Sequence, residues 1–111
     1  MARENRRFIR IAVPCKIFIS LPKKHTIVTY SEDIGDGGIR VNIKEKLSYS
    51  SLVDLEIYIK DEKIITQGEI AYTLYYKKTP LYYSTGIEFY NMKEVDRRLI
   101  NNFVNEIISE G

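Results

Sequence analysis

A single cysteine in a chain of 111 residues excludes an internal disulfide and any cysteine-based metal cluster. That residue, Cys15, stands among apolar neighbours in AVPCKIFI and is expected as a small buried hydrophobe. Histidine is as scarce. His25 is the only one, lies beside Lys24 in the polar turn LPKKH, and has no sequence neighbour that would make it a ligand or a base. It is expected as an exposed turn residue, and no metal site is expected. No run approaches the roughly 20 apolar residues that span a bilayer, so membrane insertion is not expected. The first residues are charged and lack the apolar stretch of a signal peptide, from which a cytoplasmic location is expected. Also missing are a nucleophile elbow, a two-cysteine motif and a Walker-type loop, and the carboxylates are scattered rather than paired in one place. The chain therefore reads as neither an enzyme nor a cofactor protein.

What is present is an ordinary globular composition, 44% hydrophobic and 29% charged, at a length that suits one domain. The net charge of +2 is too small to make the whole protein a polynucleotide binder. It is unevenly placed, however. Residues 1–24 hold seven cationic side chains (Arg3, Arg6, Arg7, Arg10, Lys16, Lys23 and Lys24) against Glu4 alone, an excess of +6 that leaves −4 for the rest.

Along the chain, Ala12 through Ser20 are β-branched and apolar, with Pro14 near the start where a missing N–H is tolerated, and form a first strand. TIVTYSED (residues 26–33) is a second strand. The glycine cluster IGDGG that follows is a tight turn expected to need positive φ at one residue or more. IRVNI alternates strictly, with Ile39, Val41 and Ile43 on one face and Arg40 and Asn42 on the other, as a third strand. LVDLEIYI (52–59) is the cleanest half-buried strand. IITQGEIAYTLYY (64–76) is a longer one with a bulge expected at Gly68, and LYYSTGIEFY (81–90) is the sixth. From Asn91 the period changes. Val95, Leu99, Phe103 and Ile107 recur at steps of four, flanked by Met92, Ile100, Val104 and Ile108, with Asn91 as a candidate N-cap and Glu94 completing a capping-box-like pattern. The expected architecture is mainly β: a six-stranded antiparallel β-barrel with a C-terminal amphipathic α-helix covering an apolar opening.

Two features carry chemistry. The arginines of RENRRFIRI offer planar forks of donors that grip phosphate in pairs and fit the O6/N7 edge of guanine. The stretch DIGDGGIR (33–40) brings backbone close to an anion with no side chain in the way. Together, in this order, they resemble the PilZ domain family, the bacterial receptor module for cyclic di-GMP. The family's RxxxR motif before the first strand is matched by Arg6 and Arg10 in RRFIR, with Arg7 as the extra arginine often found beside it. Arg3 is assigned to the solvated tail. The family's (D/N)xSxxG turn is matched by Asp33 and Gly38, with Gly35 in the serine position. The strand order, GIEF at 86–89 and the closing DRRLINNFV helix extend the likeness over nearly the whole chain.

The resemblance implies a flexible arginine-rich segment at residues 1–10 and a single barrel domain at 11–111. It implies a non-catalytic receptor that binds cyclic di-GMP through Arg6, Arg7, Arg10, Asp33, Gly35 and Gly38 and relays it to a protein partner in motility, biofilm or exopolysaccharide control. A Gly35→Ser variant, restoring the family's hydroxyl, would then bind more tightly. Two other readings stand beside it. One is an adaptor of the same fold that binds a partner without nucleotide, with the tyrosine-rich hairpin YTLYYKKTPLYY (72–83) as its surface. The other is a small barrel that binds RNA or single-stranded DNA, which the short basic patch and low net charge disfavour.

Overall fold

A computed structural model describes residues 9–78 and 80–110. It contains strands β1 (Arg10–Ile11), β2 (Lys16–Ser20), β3 (Thr26–Gly35), β4 (Gly38–Ile43), β5 (Leu52–Ile59), β6 (Glu62–Tyr76) and β7 (Tyr82–Tyr90), then helix α1 (Glu94–Glu110). The strands pair in the order β1-β3-β2-β5-β6-β7-β4, all antiparallel, and β4 returns to β3. Strands β2 to β7 therefore close a six-stranded barrel, as expected, and β1 is a short addition beside β3. Closure leaves no long free edge, which a chain this small would otherwise have to protect.

The first strand, expected from Ala12 to Ser20, starts only at Lys16, and a separate short strand, β1, precedes it. Residues 12–15, which include Pro14, separate the two, because proline cannot donate to a ladder. Ser31 repairs the break from the neighbouring strand. Its hydroxyl donates to the Val13 carbonyl at 2.8 Å and accepts from the Cys15 N–H at 2.9 Å, and its own N–H donates to the Cys15 carbonyl at 2.9 Å. Cys15 is buried, as its neighbours imply.

Alternate residues of each strand fill the barrel, and isoleucine dominates: Ile17, Ile19, Ile34, Ile39, Ile57 and Ile87 are each at most 1% exposed. The bulge expected at Gly68 sits at Ala71 instead, where the β6–β7 register shifts between Ile70 and Tyr72. Gly68 pairs regularly with Val53 and Phe89. It is small because a Cβ there would strike the side chains of Ile87 and Leu55 inside the barrel.

Helix α1 packs on β1 and β3 and buries Ile100, Phe103 and Val104. Each such side chain contributes roughly 1.5–3 kcal/mol on leaving water. The stripe faces the barrel as expected, with Met92 in the core and Leu99 and Ile107 packed against it, and only Val95 at 62% exposure and Ile108 at 50% turn to water. The helix starts later than expected. Asn91 has φ 56° and takes the left-handed turn that its short polar side chain tolerates, while the Lys93 carbonyl accepts from the Asp96 and Arg97 N–H groups. Asn91 is thus a turn residue and not the cap.

Candidate functional site

Side chains alternate along a strand, so Asp33 and Gly35 share one face of β3 while Ile34 between them points into the core. The choice of face is made by a bulge. The β3–β4 register shifts between Ser31 and Asp33, leaving Glu32 as an extra residue. Before it, Ser31 faces inward at 3% exposure; after it, the inward residue is Ile34. Without that one residue of slip, Asp33 would point into the isoleucine core.

Register brings the rest. Arg10 of β1 lies opposite Gly35, and Arg40 of β4 lies opposite Asp33. Both guanidinium groups reach the same carboxylate. Arg10 Nη1 donates to Asp33 Oδ1 at 3.0 Å and Arg40 Nε donates to Asp33 Oδ2 at 3.0 Å. Arg40 Nη1 also lies 3.5 Å from Ser84 Oγ. The three charged side chains keep 22–34% of their surface exposed, so the group is an open face that ligand can reach. Burial works against the Arg40 charge, but the hydrogen bond and attraction of Asp33, helped by Tyr72 and Glu32, outweigh it and raise its pKa. Two cations share one carboxylate, which leaves an unneutralised positive charge at the surface.

The glycine turn departs from expectation. No described glycine has positive φ, so left-handed backbone is not what these positions supply. They supply close approach. A Cβ on Gly35 would come within 3.0 Å of the Ile9 carbonyl oxygen, and one on Gly38 within 3.0 Å of the Ile87 carbonyl oxygen. Gly35 lets β1 lie against β3, and Gly38 lets β4 lie against β7. The expectation that serine at position 35 would simply restore a hydroxyl therefore meets a steric obstacle. Arg97 of α1 donates through Nη1 to the Asp36 carbonyl and ties the helix to this turn.

The structure thus gathers Arg10, Asp33, Gly35 and Gly38. Arg6 and Arg7 lie outside the described residues. Arg40, Arg97 and Tyr72 were missed by the sequence reading. Arg40 was visible only as the polar face of a strand, and its position opposite Asp33 depends on the bulge. The Tyr72 ring lies over Gly86, whose own cross-strand neighbour is Arg40, so an aromatic surface adjoins the arginine pair. Among the described residues no cluster of three or more histidine, cysteine, aspartate or glutamate side chains suits a metal ion. His25 is exposed, but it has a distant partner, Glu45, at 2.6 Å. No helix among the described residues is long and apolar enough to cross a membrane.

Known proteins share this architecture. The inhibitor of motility MotI/DgrA of Bacillus subtilis superposes with a TM-score of 0.79 at 18% identity, over 92% of this chain and 50% of that one. The PilZ domain of YcgR from Escherichia coli, solved with c-di-GMP, gives 0.77 at 14% identity, over 95% of this chain and 92% of that one. The K. pneumonia MrkH–c-di-GMP complex gives 0.78 at 17% identity, over 92% and 52%. In sequence, an uncharacterized protein of Aquifex aeolicus is 30% identical over 102 residues, 91% of this chain and 48% of that protein. The chain spans about half the length of these relatives, the isolated YcgR domain apart. Residues 4–106 match the family described as PilZ domain, and the chain belongs to that family.

Proposed function

We propose that this chain is a non-catalytic receptor for cyclic di-GMP. The observation that carries the reading is the pair of outward-facing arginines, Arg10 and Arg40, on either side of Asp33 at the glycine turn. A guanidinium fork suits both the phosphates and the guanine edges of such a ligand. Membership of the PilZ family and the YcgR and MrkH structures solved with c-di-GMP support the same class of ligand. Arg6 and Arg7, the motif arginines before β1, supply further guanidinium groups, and Asp33, Gly35 and Gly38 form the barrel side. Ligand binding changes the surface offered to a cytoplasmic protein partner, a population shift. That output belongs to motility, biofilm or exopolysaccharide control.

Gly35 lacks the family's hydroxyl, which costs about 0.5–1.5 kcal/mol, or roughly tenfold in affinity at most. Each bond from an arginine to a charged phosphate contributes about 1.5–3 kcal/mol, so the arginines dominate. Isothermal titration with cyclic di-GMP tests the reading. Saturable heat is expected, weakened by Arg6→Ala and by Arg10→Ala. Absence of heat up to high micromolar ligand, with neither variant differing from the parent, overturns it in favour of an adaptor that needs no nucleotide.

A further inference from the structure

Strands β6 and β7 form a ribbon that outruns β5 after Glu69, while β4 stays paired with β7 as far as Tyr83, so the Tyr76–Tyr82 end is the part clear of a third strand. Tyr75 pairs with Tyr83, ring centroids 5.2 Å apart, and Tyr76 pairs with Tyr82 at 5.1 Å. Adjacent positions on a strand point to opposite faces, so one aromatic pair lies on each side of the ribbon. Leu74, Tyr75 and Leu81 are each more than half exposed, and Tyr76 is 39% exposed. Between Glu69 and Glu88 the chain has no carboxylate, and its only charges are Lys77 and Lys78, beyond the end of β6.

We propose that this ribbon docks on an anionic lipid bilayer at headgroup depth. The surface is apolar on both faces, whereas a protein partner laid against a sheet covers one face and leaves the other in water. The interfacial zone of a bilayer surrounds a projecting ribbon. Tyrosine rings suit that zone because they are apolar in the body and polar at the tip. The two lysines complement anionic headgroups, and the missing carboxylates remove the repulsion that such a surface would exert. The docking is peripheral and crosses nothing. It stands independently of the arginine site, which it leaves free.

Co-sedimentation of the full chain with mixed phosphatidylcholine–phosphatidylglycerol vesicles and with pure phosphatidylcholine vesicles tests the proposal. Binding is expected to the mixed vesicles and to fall with salt. Lys77→Gln with Lys78→Gln, both at exposed positions, is expected to lower partitioning roughly tenfold to thirtyfold. Tyr75→Ser with Tyr76→Ser is expected to abolish it, with thermal unfolding as the check that the barrel persists. Amide-exchange protection on adding vesicles is expected at residues 74–83. The proposal is overturned by equal or absent partitioning on both vesicle types, or by a lysine variant that binds as the parent does. Tighter binding to soluble polyglutamate or to single-stranded RNA than to the mixed vesicles overturns it as well.

Discussion

Asp33 is the residue on which the candidate site turns, because it holds two guanidinium groups in place. Arg40→Lys keeps the charge but loses the planar fork, and it is expected to weaken cyclic di-GMP binding by about tenfold, since one charge-assisted bond contributes about 1.5–3 kcal/mol. Titration of that variant beside the parent checks it, and unchanged affinity would remove Arg40 from the site. Gly35→Ser is the sharper case. The sequence motif implies tighter binding, but the structure implies the reverse, because the new Cβ would press on the Ile9 carbonyl and push β1 from β3. Overpacking of this kind costs about 1–3 kcal/mol. A lower melting temperature and weaker binding are expected. Tighter binding would mean that β1 leaves β3 in the liganded state.

Elements are held by a few long-range contacts that can be tested singly. Ser31 bridges the gap between β1 and β2, and Ser31→Ala strands a buried N–H and carbonyl. The expected loss is about 1–3 kcal/mol, read from urea unfolding. The buried face of α1 is tested by a pair of substitutions. Ile100→Ala is expected to cost about 2–5 kcal/mol because Ile100 is fully buried. Val95→Ala is expected to cost almost nothing, because Val95 faces water. Equal losses would mean that Val95 also packs against the barrel.

At the scale of the whole molecule, the barrel seals Cys15 from solvent, and burial pushes its thiol above the ordinary 9.0, partly offset by the hydrogen bond with Ser31. Because the folded value is the higher one, this group's contribution to stability is fully present below pH 9.0. It is lost as pH rises through the folded value. The thiol is therefore expected to resist aromatic disulfide reagents near pH 8 in the native state and to react at once in denaturant. Rapid native-state labelling would contradict the sealed barrel. The local excess of positive charge over residues 1–24 acts at this scale as well. It is expected to speed ligand association at low ionic strength, with a modest salt dependence compared with a polynucleotide binder.

Alternation and period are local, and they determined the elements. IRVNI and LVDLEIYI are strands because every second residue is apolar, and Glu94–Glu110 are helical because the apolar spacing changes there. The motif residues were also legible, since RRFIR and DIGDGG name Arg10, Asp33, Gly35 and Gly38 without any coordinates. What the sequence left open depends on partners far along the chain. Barrel closure is a pairing of β3 with β4 while β2 and β7 hold their other edges. The slip at Glu32 turns Asp33 outward, and only that slip sets Arg40 opposite it. Arg97 reaches the glycine turn from 61 residues away. No local pattern encodes these choices, because each is the arrangement that packs the isoleucine core and pairs the backbone at the same time.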